Sequence, residues 1–110
     1  MSELANKKCV PCEDKTGKLE SNKSTELLEE LDKWKIIEDT HIEKTLQFVD
    51  FAAALAFINK VGEIAQKENH HPDIYLFSWN KVKFTLSTHS IKGLSENDFI
   101  LAAKIDELAR

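Results

Sequence analysis

Three of the four histidines in this 110-residue chain fall in two short stretches: His70 and His71 side by side in ENHHP, and His89 in LSTHSIKGL. Imidazole gains and loses a proton near neutral pH, so two or three of them around one small substrate can donate and accept protons in turn. A carboxylate close by would fix their tautomers and hold one ring charged. Three imidazoles drawn from two loops can also hold zinc, as catalytic zinc sites do. Adjacent histidines diverge, however, and the stronger HExxH and HxH spacings are absent. Nucleophilic chemistry has the least support: Ser87 and Ser90 flank His89, but no G-x-S-x-G elbow occurs. The plain structural alternative is that HHP ends a helix, where an imidazolium interacts favourably with the last carbonyls. That accounts for one histidine better than for three.

The two cysteines, Cys9 and Cys12, form a CVPC. Such a pair can be a redox couple or half of a zinc site. Here the surroundings, NKKCVPCEDKTGK, are polar, no strand precedes them and no second pair exists. They read as two thiols in a loose N-terminal arm.

The elements that would position the histidines follow from apolar spacing. Residues 1–23 are polar and unpatterned and read as a flexible arm, leaving 24–110 as a single domain. In SNKSTELLEELDKW, Ser24 or Thr25 suits an N-cap, and Leu27, Leu28 and Leu31 make one stripe, predicting a short helix that ends near Asp32 or Lys33. WKIIED and IEKTLQFV read as a hairpin; in the second, Ile42, Lys44, Leu46 and Phe48 alternate with Glu43, Thr45, Gln47 and Val49. Asp50 caps a long helix with Phe51, Ala54, Leu55, Ile58, Val61, Ile64 and Ala65 at helical spacing, ending at Asn69 before Pro72. A second hairpin follows, with strands near 74–78 and 82–87 and a turn at Asn80 and Lys81. Ser95, with Asp98 three residues on, opens a last helix that turns Phe99, Ala102, Ala103 and Ile105 inward. The order αββαββα, with strands in hairpins, predicts an α+β fold: a four-stranded antiparallel sheet with helices packed on one face. Such a sheet could bring the loops of His70, His71 and His89 to one end, beside Asp98.

A net charge of −4 gives no broad attraction to nucleic acid or anionic lipid. The longest apolar-rich run, FVDFAAALAFI, is too short to span a bilayer, and MSELANKK lacks a signal peptide's apolar stretch, so the expected location is cytoplasmic.

ENHHP, Tyr75 and NKVKFTLSTHSIKGLSENDFILAAKID together resemble the pterin-4a-carbinolamine dehydratase family. The resemblance extends upstream through FVDFAAALAFINKVGEIA, Trp34 and the CVPC arm, and so covers nearly the whole chain. HHP followed by TH and GLS..D at this spacing is a specific signature. It implies the same αββαββα fold and a hydro-lyase that dehydrates 4a-hydroxytetrahydropterin to quinonoid dihydropterin. That reaction recycles the pterin spent by aromatic amino-acid hydroxylases, with no metal and no organic cofactor. By the family pattern His70 and His89 would be the proton-transfer pair, and His71 would bind and orient substrate. Asp98 would orient His89 or simply cap the last helix. Trp34 would lie near the pocket or serve as a core aromatic, and Ser87 and Thr88 would offer hydrogen bonds to the pterin. One departure stands out: the family's acidic residue four positions before the first histidine is Gln66 here. Either Gln66 orients the imidazole alone, or Glu68 substitutes from the helix end, or activity is reduced. The resemblance also implies a homo-oligomer, a dimer or tetramer. The alternative is a weakly active or non-catalytic pterin-binding or regulatory module on the same fold, with a transcriptional-cofactor or molybdopterin-linked role.

Overall fold

The computed structural model describes Asn6 and residues 21–38, 40–88 and 93–109. Most of the expected arm, Cys9, Cys12 and His89 lie outside the described residues. Seven elements follow in the order α1 (Ser21–Leu28), β1 (Lys35–Ile37), β2 (His41–Gln47), α2 (Phe51–Glu68), β3 (Asp73–Phe77), β4 (Lys81–Leu86) and α3 (Glu96–Ala109). The strands make one antiparallel sheet in the order β1-β2-β4-β3. The α+β class and the αββαββα order are those read from the sequence.

Period-two patterning sets which face is covered. In the central pair, Ile42 stands opposite Leu86, Lys44 opposite Phe84 and Leu46 opposite Val82. Ile42, Lys44, Val82, Phe84 and Leu86 are buried under the helices, while their alternating neighbours remain partly or fully exposed. The covering helices contribute Ala54, Phe57, Val61 and Ala65 from α2 and an unbroken run, Phe99 to Ala103, from α3. Phe57 joins the layers, its ring centroid 5.1 Å from that of Phe48 and 5.8 Å from that of Phe84.

Three local expectations differ from the structure. The first helix begins at Ser21, placing Ser24 inside it and buried, and it ends at Leu28. From there the chain tightens through i→i+3 bonds (Glu30 N to Leu27 O, Leu31 N to Leu28 O) and turns at Lys33 with φ 64°. The reason is tertiary: the Asp32 amide and the Trp34 indole both reach Asp106 on α3. The buried stripe of α2 is rotated relative to the predicted one, so that Phe57 is inside while Phe51 and Leu55 are 48% and 40% exposed. This helix is apolar around much of its circumference, so spacing alone does not choose the phase; the Phe57 ring contacts do. The second hairpin turns at Ser78–Asn80, because Asn80 exchanges hydrogen bonds with the Phe48 backbone and Lys81 pairs with Phe77.

Candidate active site

His70 is placed by the way α2 stops. Asp50 caps the start, its carboxylate accepting from the Ala53 amide at 2.7 Å. At the other end Asn69 takes the left-handed conformation (φ 54°, ψ 39°), which asparagine tolerates better than most side chains. The His70 amide then folds back on the Ala65 carbonyl at 3.2 Å, a Schellman closure that satisfies a terminal carbonyl and fixes the backbone of His70. Pro72 prevents the helix from resuming.

The ring of His70, 11% exposed, meets α3. Its Nε2 lies 2.6 Å from Oδ1 of Asp98, which is fully buried. The other oxygen of Asp98, Oδ2, accepts from the Thr88 hydroxyl and from the Ser95 amide, both at 2.9 Å. The Thr88 and Ser95 hydroxyl oxygens are 2.8 Å apart. Asp98 is therefore a buried carboxylate with three donors among the described residues, and it both ties down the start of α3 and holds an imidazole. A carboxylate has no hydrogen to give, so His70 must donate from Nε2. That leaves Nδ1 as the ring nitrogen able to take or release a proton toward a substrate. Burial makes this arrangement well defined, because an unpaired polar group there would be costly.

The other expected residues are distributed as follows. His71 is exposed, its Nε2 3.2 Å from Gln66 Oε1, so the amide at 66 meets the second histidine and not the first. The carboxylate that α2 lacks at position 66 is supplied to His70 by Asp98. Glu68 approaches Lys104 of α3 at 4.0 Å. Trp34 is buried, and its indole donates to Asp106 Oδ1 at 2.9 Å; it is a core aromatic at the helix–strand junction. Ser87 is half-buried just beyond β4. Thr88 is buried, its hydroxyl committed to Asp98, and its backbone pairs with Gly93 on the far side of the His89 segment. The structure thus brings His70, Asp98 and Thr88 together. It adds Ser95, which the sequence identifies only as a helix cap. Among the described residues no group of three His, Cys, Asp or Glu side chains is arranged to hold a metal, and no helix is long and apolar enough to cross a membrane.

A second buried carboxylate was missed at the sequence level. Asp106 accepts from Lys44 Nζ at 2.8 Å, from the Trp34 indole and from the Asp32 amide. The available signal was Lys44 itself, a charge in the inward row between Ile42 and Leu46 that needs a buried partner.

Residues 17–108 match the model of the family described as pterin 4 alpha carbinolamine dehydratase. A protein of Alkaliphilus metalliredigens, provisionally named as that enzyme, is 48% identical over 97% of this chain and 96% of its own length. One from Rubrobacter xylanophilus, named in the same way, is 44% identical over 98% of this chain and all of its own. Among solved structures, a transcriptional coactivator/pterin dehydratase from Brucella melitensis is similar with a TM-score of 0.81 and 32% identity, over 86% of this chain and all of that one.

Proposed function

The chain belongs to the pterin-4-alpha-carbinolamine dehydratase family, a family of hydro-lyases, and from that premise we propose that it dehydrates 4a-hydroxytetrahydropterin to quinonoid dihydropterin and water in the recycling of tetrahydropterin. The observation that carries this reading is the His70–Asp98 pair, a tautomer-fixed imidazole at the end of α2. The chemistry needs a proton delivered to the departing C4a hydroxyl and a proton removed from N5. The C4a–O bond breaks, N5 and C4a become doubly bonded, and water leaves, with no net change in protons. Both transfers occur on one small ring system, which suits paired imidazoles. His70 exchanges a proton through Nδ1, and His89 is its partner in transfer. His71, with Gln66 behind it, binds and orients the pterin edge; Ser87 lies close enough in sequence to His89 to contribute a hydrogen bond. Asp98 and Thr88 act through His70, and Trp34 acts through the frame. No metal or organic cofactor is required, because the N5 electron pair drives the C4a–O cleavage and the protein has only to move protons.

The protein works as a homo-oligomer in the cytoplasm. Support comes from the exposed apolar stripe of Phe51 and Leu55 on α2, with Ile74 37% exposed, and from β3, which lies at one end of the strand order. A monomer rarely leaves such a stripe and strand edge uncovered.

The test is the dehydration rate of 4a-hydroxytetrahydropterin followed by absorbance. Wild type should accelerate it over buffer, and His70→Ala and His89→Ala should each lose roughly 10² or more of that acceleration. A folded wild type that matches buffer would transfer the case to the regulatory module. The Brucella relative's description as a coactivator is the observation that favours this second reading.

A further inference from the structure

Behind the Asp98 carboxylate lie two hydroxyls in contact with each other, those of Thr88 and Ser95. Thr88 and Ser95 are 4% and 2% exposed, and the contact between their hydroxyls is buried. Their hydrogen-bond directions can be assigned. The Thr88 hydroxyl has one hydrogen, and at 2.9 Å it goes to Asp98 Oδ2. The Thr88 oxygen can then only accept across the 2.8 Å contact with Ser95, so Ser95 donates to it. The result is one directed chain: Ser95 hydroxyl to Thr88 hydroxyl to Asp98 Oδ2, with Asp98 Oδ1 accepting from His70 Nε2. The Ser95 amide adds a second bond to Oδ2 at 2.9 Å, so the plane of the carboxylate is fixed from its far side.

We infer that Thr88 and Ser95 are positioning residues for His70: their hydroxyl chain locks the Asp98 carboxylate and thereby holds His70 in the Nε2–H tautomer that leaves Nδ1 for the substrate. This gives Thr88 a role different from that of a direct pterin contact, and it gives Ser95 a role beyond capping α3. Thr88 is well placed for it. Its backbone pairs with Gly93 through bonds of 2.8 and 3.4 Å, so the residue is anchored on both its main chain and its side chain. Among the described residues, loss of the Thr88 hydroxyl would leave the Ser95 amide as the donor to Oδ2 and let the carboxylate rotate. The imidazole could then pair through either nitrogen, and a fraction of molecules would present the wrong one.

The inference rests on the dehydratase reading for its kinetic part only; the tautomer is measurable without turnover. In protein labelled with 15N-histidine, the ring resonances of His70, assigned by their loss in His70→Ala, report which nitrogen carries the proton. In wild type, the neutral ring should carry its proton on Nε2. In Thr88→Val the Nδ1–H form should appear, kcat should fall about tenfold with KM within roughly twofold, and Thr88→Ser should restore both. Ser95→Ala should shift the same signals in the same direction by less, and it carries the test if Thr88→Val does not fold. An unchanged His70 tautomer in the folded variants, or a loss confined to KM, overturns the inference. A tautomer shift in a protein whose wild type has no turnover upholds the inference and overturns the dehydratase reading instead.

Discussion

Helix α3 carries two buried aspartates eight residues apart, about 12 Å along its axis, and the difference between them separates frame from site. Among the described residues each accepts three hydrogen bonds. Asp106 takes its bonds from Lys44, the Trp34 indole and the Asp32 amide. One of those donors is the Lys44 ammonium, an ion-pair partner that offsets the buried charge in place. Asp98 takes its bonds from the Thr88 hydroxyl, the Ser95 amide and a partly exposed imidazole. Its partner ring can change protonation state, and the ring has a second nitrogen available for other work. The same residue type on the same helix is thus a strut at one end and a tautomer lock at the other, and the donor set makes the distinction.

The largest effect is expected at the strut. Lys44→Met leaves the Asp106 charge buried without its cation, and removal of one partner from a buried pair costs about 3–5 kcal/mol. Urea unfolding should show that loss, while the dehydration rate per folded molecule stays within a few-fold of wild type. Replacing both partners in Lys44→Met/Asp106→Leu should recover much of the loss, since an apolar pair of similar volume tolerates that site. A Lys44→Met protein of wild-type stability, or one that is stable and inactive, would erase the distinction.

The candidate site was partly legible in the sequence and the strut was not, for different reasons. The fold order, the cap at Asp50 and the exit at Asn69 are local signals, and local chemistry produces them. The phase of α2 and the early end of α1 depend on Phe57 meeting Phe48 and Phe84, and on Asp106 drawing in residues 32–34. Spacing does not encode either. His70 and Asp98 were recognisable as candidate site residues. Their direct pairing was not, because 28 residues separate them and the sequence left Asp98 equally suited to His89 or to the helix cap. Gln66, which the sequence set against His70, meets His71 instead, and His70 takes its carboxylate partner from α3.

A smaller effect probes how His70 is presented. Asn69→Ala forces a side chain with a Cβ penalty into the left-handed position and should cost about 1–2 kcal/mol, visible as a lower urea midpoint with an unchanged slope. Asn69→Gly should be neutral within a few tenths of a kcal/mol. Equal behaviour of the two variants would mean that the helix exit does not depend on that conformation. Smallest of all, Gln66→Ala should change the dehydration rate by only a few-fold, because its partner His71 is exposed and the bond between them is a neutral one at 3.2 Å. A loss as large as that of His70→Ala would make Gln66 the orienting group in place of Asp98.

The most direct measurement is the dehydration rate of Asp98→Asn beside Asp106→Asn, each normalised to its folded fraction. Asp98→Asn should lose roughly 10² of the acceleration while remaining folded, as expected when an acid–base group is misoriented. Asp106→Asn should keep its rate within about threefold and lose stability instead. Near-wild-type turnover by Asp98→Asn, or equal losses in the two variants, would contradict the division of α3 into a strut and a tautomer lock.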